Sequence, residues 1–114
     1  MEIEFYATRD GVRPVDSYLA QLSPKQQAKV AWTFRVVQHL HPVPAQYLQK
    51  LVNTDGLWEV RVIFAGDIFR ILGFVKDERT LVLCHGFTKK TQKTPTQEIA
   101  TATARKVEYE QRKT

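Results

Sequence analysis

The chain has 114 residues, of which 43% are hydrophobic and 25% charged, and its formal net charge is +5. A chain of this size forms one domain with one core, and it buries about two-thirds of its unfolded surface. Its single cysteine, Cys84, excludes an internal disulfide and fits a reducing compartment. There is no apolar run near the ~20 residues of a membrane span, and the first residues do not resemble a signal peptide. We therefore expect one cytosolic domain over residues 1–114, with no membrane contact.

The positive charge is concentrated in the last quarter of the chain. From Thr88 onward there are seven Lys and Arg residues against three Glu residues. A localised positive field suits a polyanion such as nucleic acid, or an acidic protein partner. We expect Lys93, Arg105 and Lys106 from this region to contact RNA. The alternative is a solvated, basic helix face.

The first third of the chain predicts a strand and a helical hairpin. Residues 2–7 alternate polar with apolar side chains, which is typical of a half-buried strand. Pro14 can open a first helix, and its apolar positions recur at helical spacing. Ser23 can cap a second helix, with Pro24 in the first turn and Gln26 completing a capping box. That helix should end near His41, because the prolines that follow cannot continue it.

Three runs rich in Val, Ile, Leu and Phe come next, at residues 56–64, 68–74 and 81–90. The short polar breaks between them predict an antiparallel meander. Residues 45–55 predict only a short turn or strand, and Thr94–Pro95 opens a third helix. The order is β-α-α-β-β-β-α, which predicts an α+β fold. We expect an antiparallel sheet with the helices on one face and the other face partly open, because residues 58–64 alternate.

Five cationic or titratable side chains lie in or just after the adjacent strands: Arg61, Arg70, His85, Lys89 and Lys90. Metal-ligand spacing, a phosphate-binding glycine loop and a nucleophile elbow are all missing from the sequence, so no cofactor is expected. Such a set suits metal-free RNA cleavage, in which the 2′-hydroxyl attacks the neighbouring phosphate. Cations on rigid strands can stabilise the negative charge of the transition state. Lysine or histidine can serve as the general base and acid.

Each of these residues also has a structural interpretation. Arg61 can pair with Glu59 or Asp67, and Arg70 can be a charged strand residue of the same kind. His85 lies in an apolar stretch and can be a core histidine. Phe87 is an aromatic of the type that is more often core than a base-stacking platform. The lysine pair by itself is a common surface feature.

Several segments resemble the phage-related HigB branch of the RelE/ParE toxin superfamily. They include Gly56–Val62, Phe69–Leu72 and above all the segment His85–Pro95, which reads HGFTKKTQKTP. The resemblance extends over nearly the whole chain, with weaker matches near Phe5–Val15 and in the last helix. It implies a RelE-like fold and a small toxin of a type II toxin–antitoxin pair. Such toxins are similar to ribosome-dependent mRNA interferases that cut mRNA without a metal.

The resemblance also implies roles and partners. Arg61 and Arg70 would hold the scissile phosphate, Lys89 and Lys90 would bind RNA or move protons, and Phe87 would stack on a base. His85 is a further catalytic candidate. The partner would be a helix-turn-helix, HigA-like antitoxin, through which alone operator DNA would be bound. Two alternatives remain: a ParE-like inhibitor of DNA gyrase, and a RelE-fold partner protein without catalysis.

Overall fold

The helical hairpin forms where the sequence predicts it. The structure, a computed structural model, describes residues 1–89 and 94–112, apart from the side chain of Lys89. Helix α1 spans Pro14–Leu19 and helix α2 spans Pro24–His39. The Ser23 N–H donates to the Gln26 side chain at 2.8 Å, and the Gln26 N–H donates to Ser23 Oγ at 3.2 Å. This reciprocal pair is the predicted capping box, which satisfies two amide groups at the start of α2.

Five strands form one sheet in the order β1-β5-β4-β3-β2. Their bounds are β1 Glu2–Phe5, β2 Leu48–Lys50, β3 Leu57–Phe64, β4 Asp67–Lys76 and β5 Thr80–Lys89. Strands β3, β4 and β5 form the predicted antiparallel meander. Strand β2 falls in the stretch for which the sequence predicts only a short turn or strand, and it pairs antiparallel with β3. Strand β1 instead runs parallel to β5, so the sheet is mixed rather than wholly antiparallel.

Helices cover both faces of the sheet. The α1–α2 hairpin packs on one face, and helix α3 (Thr96–Arg112) packs on the other. The core under the hairpin includes Val15, Val30, Val37, Val60, Val62, Phe69, Ile71, Leu81 and Leu83. The core under α3 comprises Tyr6, Leu57, Leu72, Phe74, Val82, Cys84, Phe87 and Ala102. The expectation of an open second face was wrong. The alternation that suggested it came from β3, whereas β4 and β5 place large apolar side chains on that face as well.

A register shift in β5 turns two consecutive side chains toward α3. Leu72 of β4 lies opposite His85, but the next residue, Gly73, lies opposite Leu83. Cys84 is therefore the additional residue of a bulge. Its Sγ lies 3.6 Å from the carbonyl oxygen of Ala102 on α3, and His85 also reaches α3. The bulge is what places His85 beneath the helix. Among the described residues, no helix has the length and apolar character needed to cross a membrane.

Candidate functional site

Two arginines face each other across the centre of the sheet. Arg61 of β3 and Arg70 of β4 are direct partners in the antiparallel register, so their side chains lie on the same face. Like charges at such positions repel each other. The carboxylate that compensates them is Glu59, which precedes Arg61 by two residues and shares its face.

Glu59 contacts both arginines and a hydroxyl from the start of the α3 region. Arg70 Nη1 donates to the two carboxylate oxygens at 3.1 and 3.3 Å. Arg61 Nε lies 3.6 Å from Oε1, and Thr94 Oγ1 donates to Oε2 at 2.9 Å. The pairing of Arg61 with Glu59, one of the structural interpretations of the sequence, is confirmed. Arg70 and Thr94 thus donate to one carboxylate, and the Arg61 cation lies beside it.

Burial differs sharply between the two arginines. The side chains of Arg70 and Glu59 are only 1% and 2% exposed, whereas that of Arg61 is 15% exposed. A buried charge needs a partner, because an unpaired one loses its hydration without compensation. The Arg70–Glu59 pair therefore forms the floor of the site, and Arg61 lies nearer its opening. A cavity of about 380 Å³ lies above them, lined by Gln49, Leu51, Val52, Asn53, Glu59, Arg61, Arg70, Thr94 and Ile99.

His85 lies in a second polar layer, between two side chains of α3. Its Nε2 is 2.7 Å from Glu98 Oε1, and its Nδ1 is 3.2 Å from Arg105 Nη1. A guanidinium can only donate, so Nδ1 must accept, and in the neutral ring the proton is on Nε2 and points to Glu98. Both ring nitrogens are thus engaged inside the protein. For His85 to exchange a proton with a substrate, Glu98 or Arg105 must first move away.

The other predicted RNA-binding residues of the described chain make internal contacts. Phe87 is 7% exposed in the core under α3, and its ring stacks against His85 with centroids 5.6 Å apart. Arg105 also donates to the Cys84 carbonyl oxygen at 2.8 Å. Lys106 Nζ lies 3.5 Å from Asp55 and 3.3 Å from Glu110. The Arg105 contact holds α3 to β5, and the contact with Asp55 joins α3 to the loop before β3. RNA binding by Phe87, Arg105 and Lys106 stays a prediction.

The structure brings Arg61 and Arg70 together, but it does not test the roles predicted for the lysines. The side chain of Lys89 and the whole of Lys90 and Lys93 lie outside the described residues. Sequence reasoning named Glu59 only as an alternative partner of Arg61, although its spacing of two residues places it on the same face. Thr94 was not identified as a site residue. Its contact with Glu59 depends on where α3 docks, for which the local sequence contains no signal.

A mixed five-stranded sheet with an early helical hairpin and a C-terminal helix defines a RelE-like α+β fold. A model of the family described as phage-derived protein Gp49-like (DUF891) matches residues 17–107. The match spans most of the chain, which therefore belongs to this family, part of the RelE/ParE-like toxin superfamily. A search of curated proteins gives no match. RelE-type toxins are usually endoribonucleases and generally pair with an antitoxin.

Proposed function

We propose that the chain is the HigB-like toxin of a type II toxin–antitoxin pair, acting in the cytoplasm as a ribosome-dependent mRNA endoribonuclease. The observation that supports this best is the convergence of Arg61 and Arg70 on a single carboxylate at the base of a cavity. The same donors suit the oxygens of a phosphodiester, because guanidinium groups bind carboxylates and phosphates through the same geometry. Membership of the Gp49-like family is consistent with a toxin.

In this proposal the scissile phosphate enters the cavity and meets Arg61 first. Arg61 is the more exposed of the two arginines, and Arg70 is held beneath it by Glu59. Negative charge grows on the phosphoryl oxygens as the 2′-oxygen attacks phosphorus. A preorganised cation at that point stabilises the transition state more than the ground state. Arg70 adds its positive field and holds the Glu59 carboxylate through hydrogen bonds to both of its oxygens.

Two protons must move during the reaction. The 2′-hydroxyl gives its proton to a general base as the new P–O bond forms, and the P–O5′ bond breaks as a general acid protonates the leaving oxygen. The products are a 2′,3′-cyclic phosphate and a 5′-hydroxyl. Lys89 and Lys90 are the candidates for these transfers, and His85 is a further candidate. The proposal includes no metal or other cofactor.

The proposed partners follow from the same assignment. A HigA-like helix-turn-helix antitoxin would bind the toxin, and operator DNA would be contacted through that antitoxin. The toxin would bind mRNA on the ribosome, and the further RNA contacts would be Phe87, Lys93, Arg105 and Lys106. For Phe87 and Arg105 this requires α3 to shift, because the structure buries or engages both.

The test is to map mRNA 5′ ends after the chain is expressed without an antitoxin. We expect cleavage of translated mRNA, and a loss of about 10²–10³-fold for Arg61→Ala, the usual effect of removing one oxyanion donor. Arg35→Ala is the matched control, because Arg35 lies on the exposed side of α2 and lines neither this cavity nor its neighbours. It should cleave like the unmodified protein.

Two results would contradict the proposal. Full cleavage by Arg61→Ala would show that the scissile phosphate does not bind at Arg61 in this cavity. Intact mRNA together with inhibition of purified gyrase in a supercoiling assay would instead support the ParE-like alternative.

A further inference from the structure

A second cavity lies at the outer edge of β3 and shares Arg61 with the first one. Its volume is about 260 Å³, and it is lined by Lys29, Thr33, Gln46, Tyr47, Arg61 and Ile63. Strand β2 pairs with residues 58–60 of β3, and the Arg61 N–H then donates to the Tyr47 carbonyl oxygen at 2.9 Å. The cavity therefore opens where β2 begins, between β3 and α2. We call it the edge pocket.

The rim of the edge pocket consists of an exposed tryptophan, a half-buried tyrosine and a cation. Trp32 is 39% exposed, and its ring meets that of Tyr47 edge to face with centroids 5.5 Å apart. Lys29 Nζ lies 4.2 Å from the centroid of the Trp32 ring. An exposed tryptophan gains little from the core, whereas indole and phenol rings beside a cation are the groups that bind unpaired bases and their phosphates.

The charge around the pocket favours an anionic ligand. Helix α2 has no Asp or Glu in its sixteen residues, and Lys29 is its cation that lines the pocket. The pocket lining likewise includes no carboxylate among the described residues. Ile63, which is 52% exposed, adds an apolar wall on the β3 side. An acidic protein segment would meet the same charge, but the sharing of Arg61 with the proposed phosphate site favours a continuous nucleic-acid strand.

We propose that Lys29, Trp32 and Tyr47 bind a nucleotide next to the scissile phosphate in single-stranded RNA. The inference rests on the proposed function, since it places the scissile phosphate at Arg61. The neighbouring base stacks on the exposed ring of Trp32, which Tyr47 meets edge to face, and Lys29 pairs with the flanking phosphate. The edge pocket thereby sets the position of the RNA strand across Arg61, and it gives the enzyme a preference for bases that stack well.

The first test compares cleavage by variants of the rim. We expect Trp32→Ala to cleave mRNA about tenfold less, as expected when one base–aromatic stack is lost. Trp32→Phe, which keeps a ring, should retain most of the activity. Leu40→Ala, at the exposed apolar residue that directly follows α2, is the control for Trp32→Ala, and Lys25→Ala is the control for Lys29→Ala. Both controls should match the unmodified protein.

Cleavage by Trp32→Ala equal to that of the unmodified protein would overturn the inference. Unchanged cleavage combined with loss of the antitoxin complex would also overturn it, because the rim would then be a protein-docking surface.

A second measurement separates this inference from the proposed function. Trp58→Phe leaves Trp32 as the only tryptophan, and a single-stranded RNA oligonucleotide is titrated against its fluorescence. We expect saturable quenching that weakens in the additional Lys29→Ala variant but not in Lys25→Ala. Quenching in a protein that fails to cut mRNA would support the edge pocket while the nuclease proposal falls. Cleavage that is insensitive to Trp32→Ala, without quenching, would overturn the edge pocket while the nuclease proposal stands.

Discussion

Glu59 is the residue on which both arginines of the site depend. Its carboxylate accepts from Arg70 and Thr94 and pairs with Arg61, and its side chain is almost fully buried. The attraction within such a pair offsets a desolvation cost that each ion would otherwise meet alone. Removing one member therefore costs more than the pair itself contributes. The buried pair fixes the shape of the site more than it stabilises the fold.

A double-mutant cycle on the buried pair tests this interpretation. We expect Glu59→Leu to lower the free energy of unfolding by about 3–5 kcal/mol, because Arg70 is left charged and buried. Glu59→Leu with Arg70→Met should be more stable than either single substitution, since neither member of the buried pair is then left behind as an unpaired charge. Urea unfolding measures all four proteins of the cycle. Additive losses would show that the two side chains do not depend on each other.

At the scale of elements, a polar cluster fastens the C-terminal end of α3 to the start of the chain. Glu108 accepts from Tyr6 at 2.6 Å, from Arg9 at 3.2 Å and from Arg112 Nε at 2.8 Å. Arg112 also donates to the Ala7 carbonyl oxygen at 2.7 Å. Arg112, followed by Tyr6, lowers the pKa of Glu108 from its ordinary 4.5 to about 2. Hydrogen bonds to the ionised carboxylate favour that form.

This cluster predicts that the folded protein becomes less stable as the pH falls through the acid range. Because the folded pKa of Glu108 is about 2, below its ordinary 4.5, the unfolded chain binds the proton more readily. The contribution of Glu108 is complete above pH 4.5 and is lost as the pH falls toward 2. Glu108→Gln should therefore flatten the fall of the thermal midpoint over this range.

Glu110→Gln, on the same helix, provides the control for the acid prediction. Its side chain is 54% exposed and makes only a 3.3 Å contact with Lys106 among the ion pairs described for this helix. The steep acid dependence should persist in this variant. If the thermal midpoint falls equally steeply with pH in Glu108→Gln and in the unmodified protein, ionisation of Glu108 does not contribute to the acid sensitivity.

At the scale of the whole molecule, one sheet separates two cores. Cys84 belongs to the core under α3, so its reactivity measures whether that core is intact. Its side chain is fully buried, and Sγ donates weakly to the Ala102 carbonyl oxygen. Burial raises the pKa of the thiol to about 12. Only the thiolate reacts readily, so both access and ionisation protect this cysteine in the folded protein. Labelling requires α3 to leave the sheet.

The rate of Cys84 labelling by a thiol-specific disulfide reagent therefore measures how α3 opens. Cys84 is the only cysteine, so the signal has one source. We expect negligible labelling in native buffer and rapid labelling in urea above the unfolding midpoint. If the two cores unfold together, the free energy from labelling should equal that from urea unfolding. Fast labelling of otherwise native protein would show that α3 opens independently of the hairpin core.

Local signals in the sequence were enough for most elements. The predicted capping box at Ser23 forms because its two hydrogen bonds join residues three apart. The runs at residues 56–64, 68–74 and 81–90 became β3, β4 and β5, since their apolar side chains and polar breaks are short-range features. The cross-strand meeting of Arg61 and Arg70 follows from the turn between those strands, which fixes the register.

The sequence by itself determined the α+β order, the capping of α2 and the meander that brings Arg61 and Arg70 together. Only the tertiary structure decided that α3 covers the second face, that Thr94 joins Glu59, and that His85 lies between Glu98 and Arg105. The physical reason is the distance along the chain between the residues that interact. Periodicity and caps record interactions within a few residues, whereas the docking of α3 depends on apolar surface collected from distant strands.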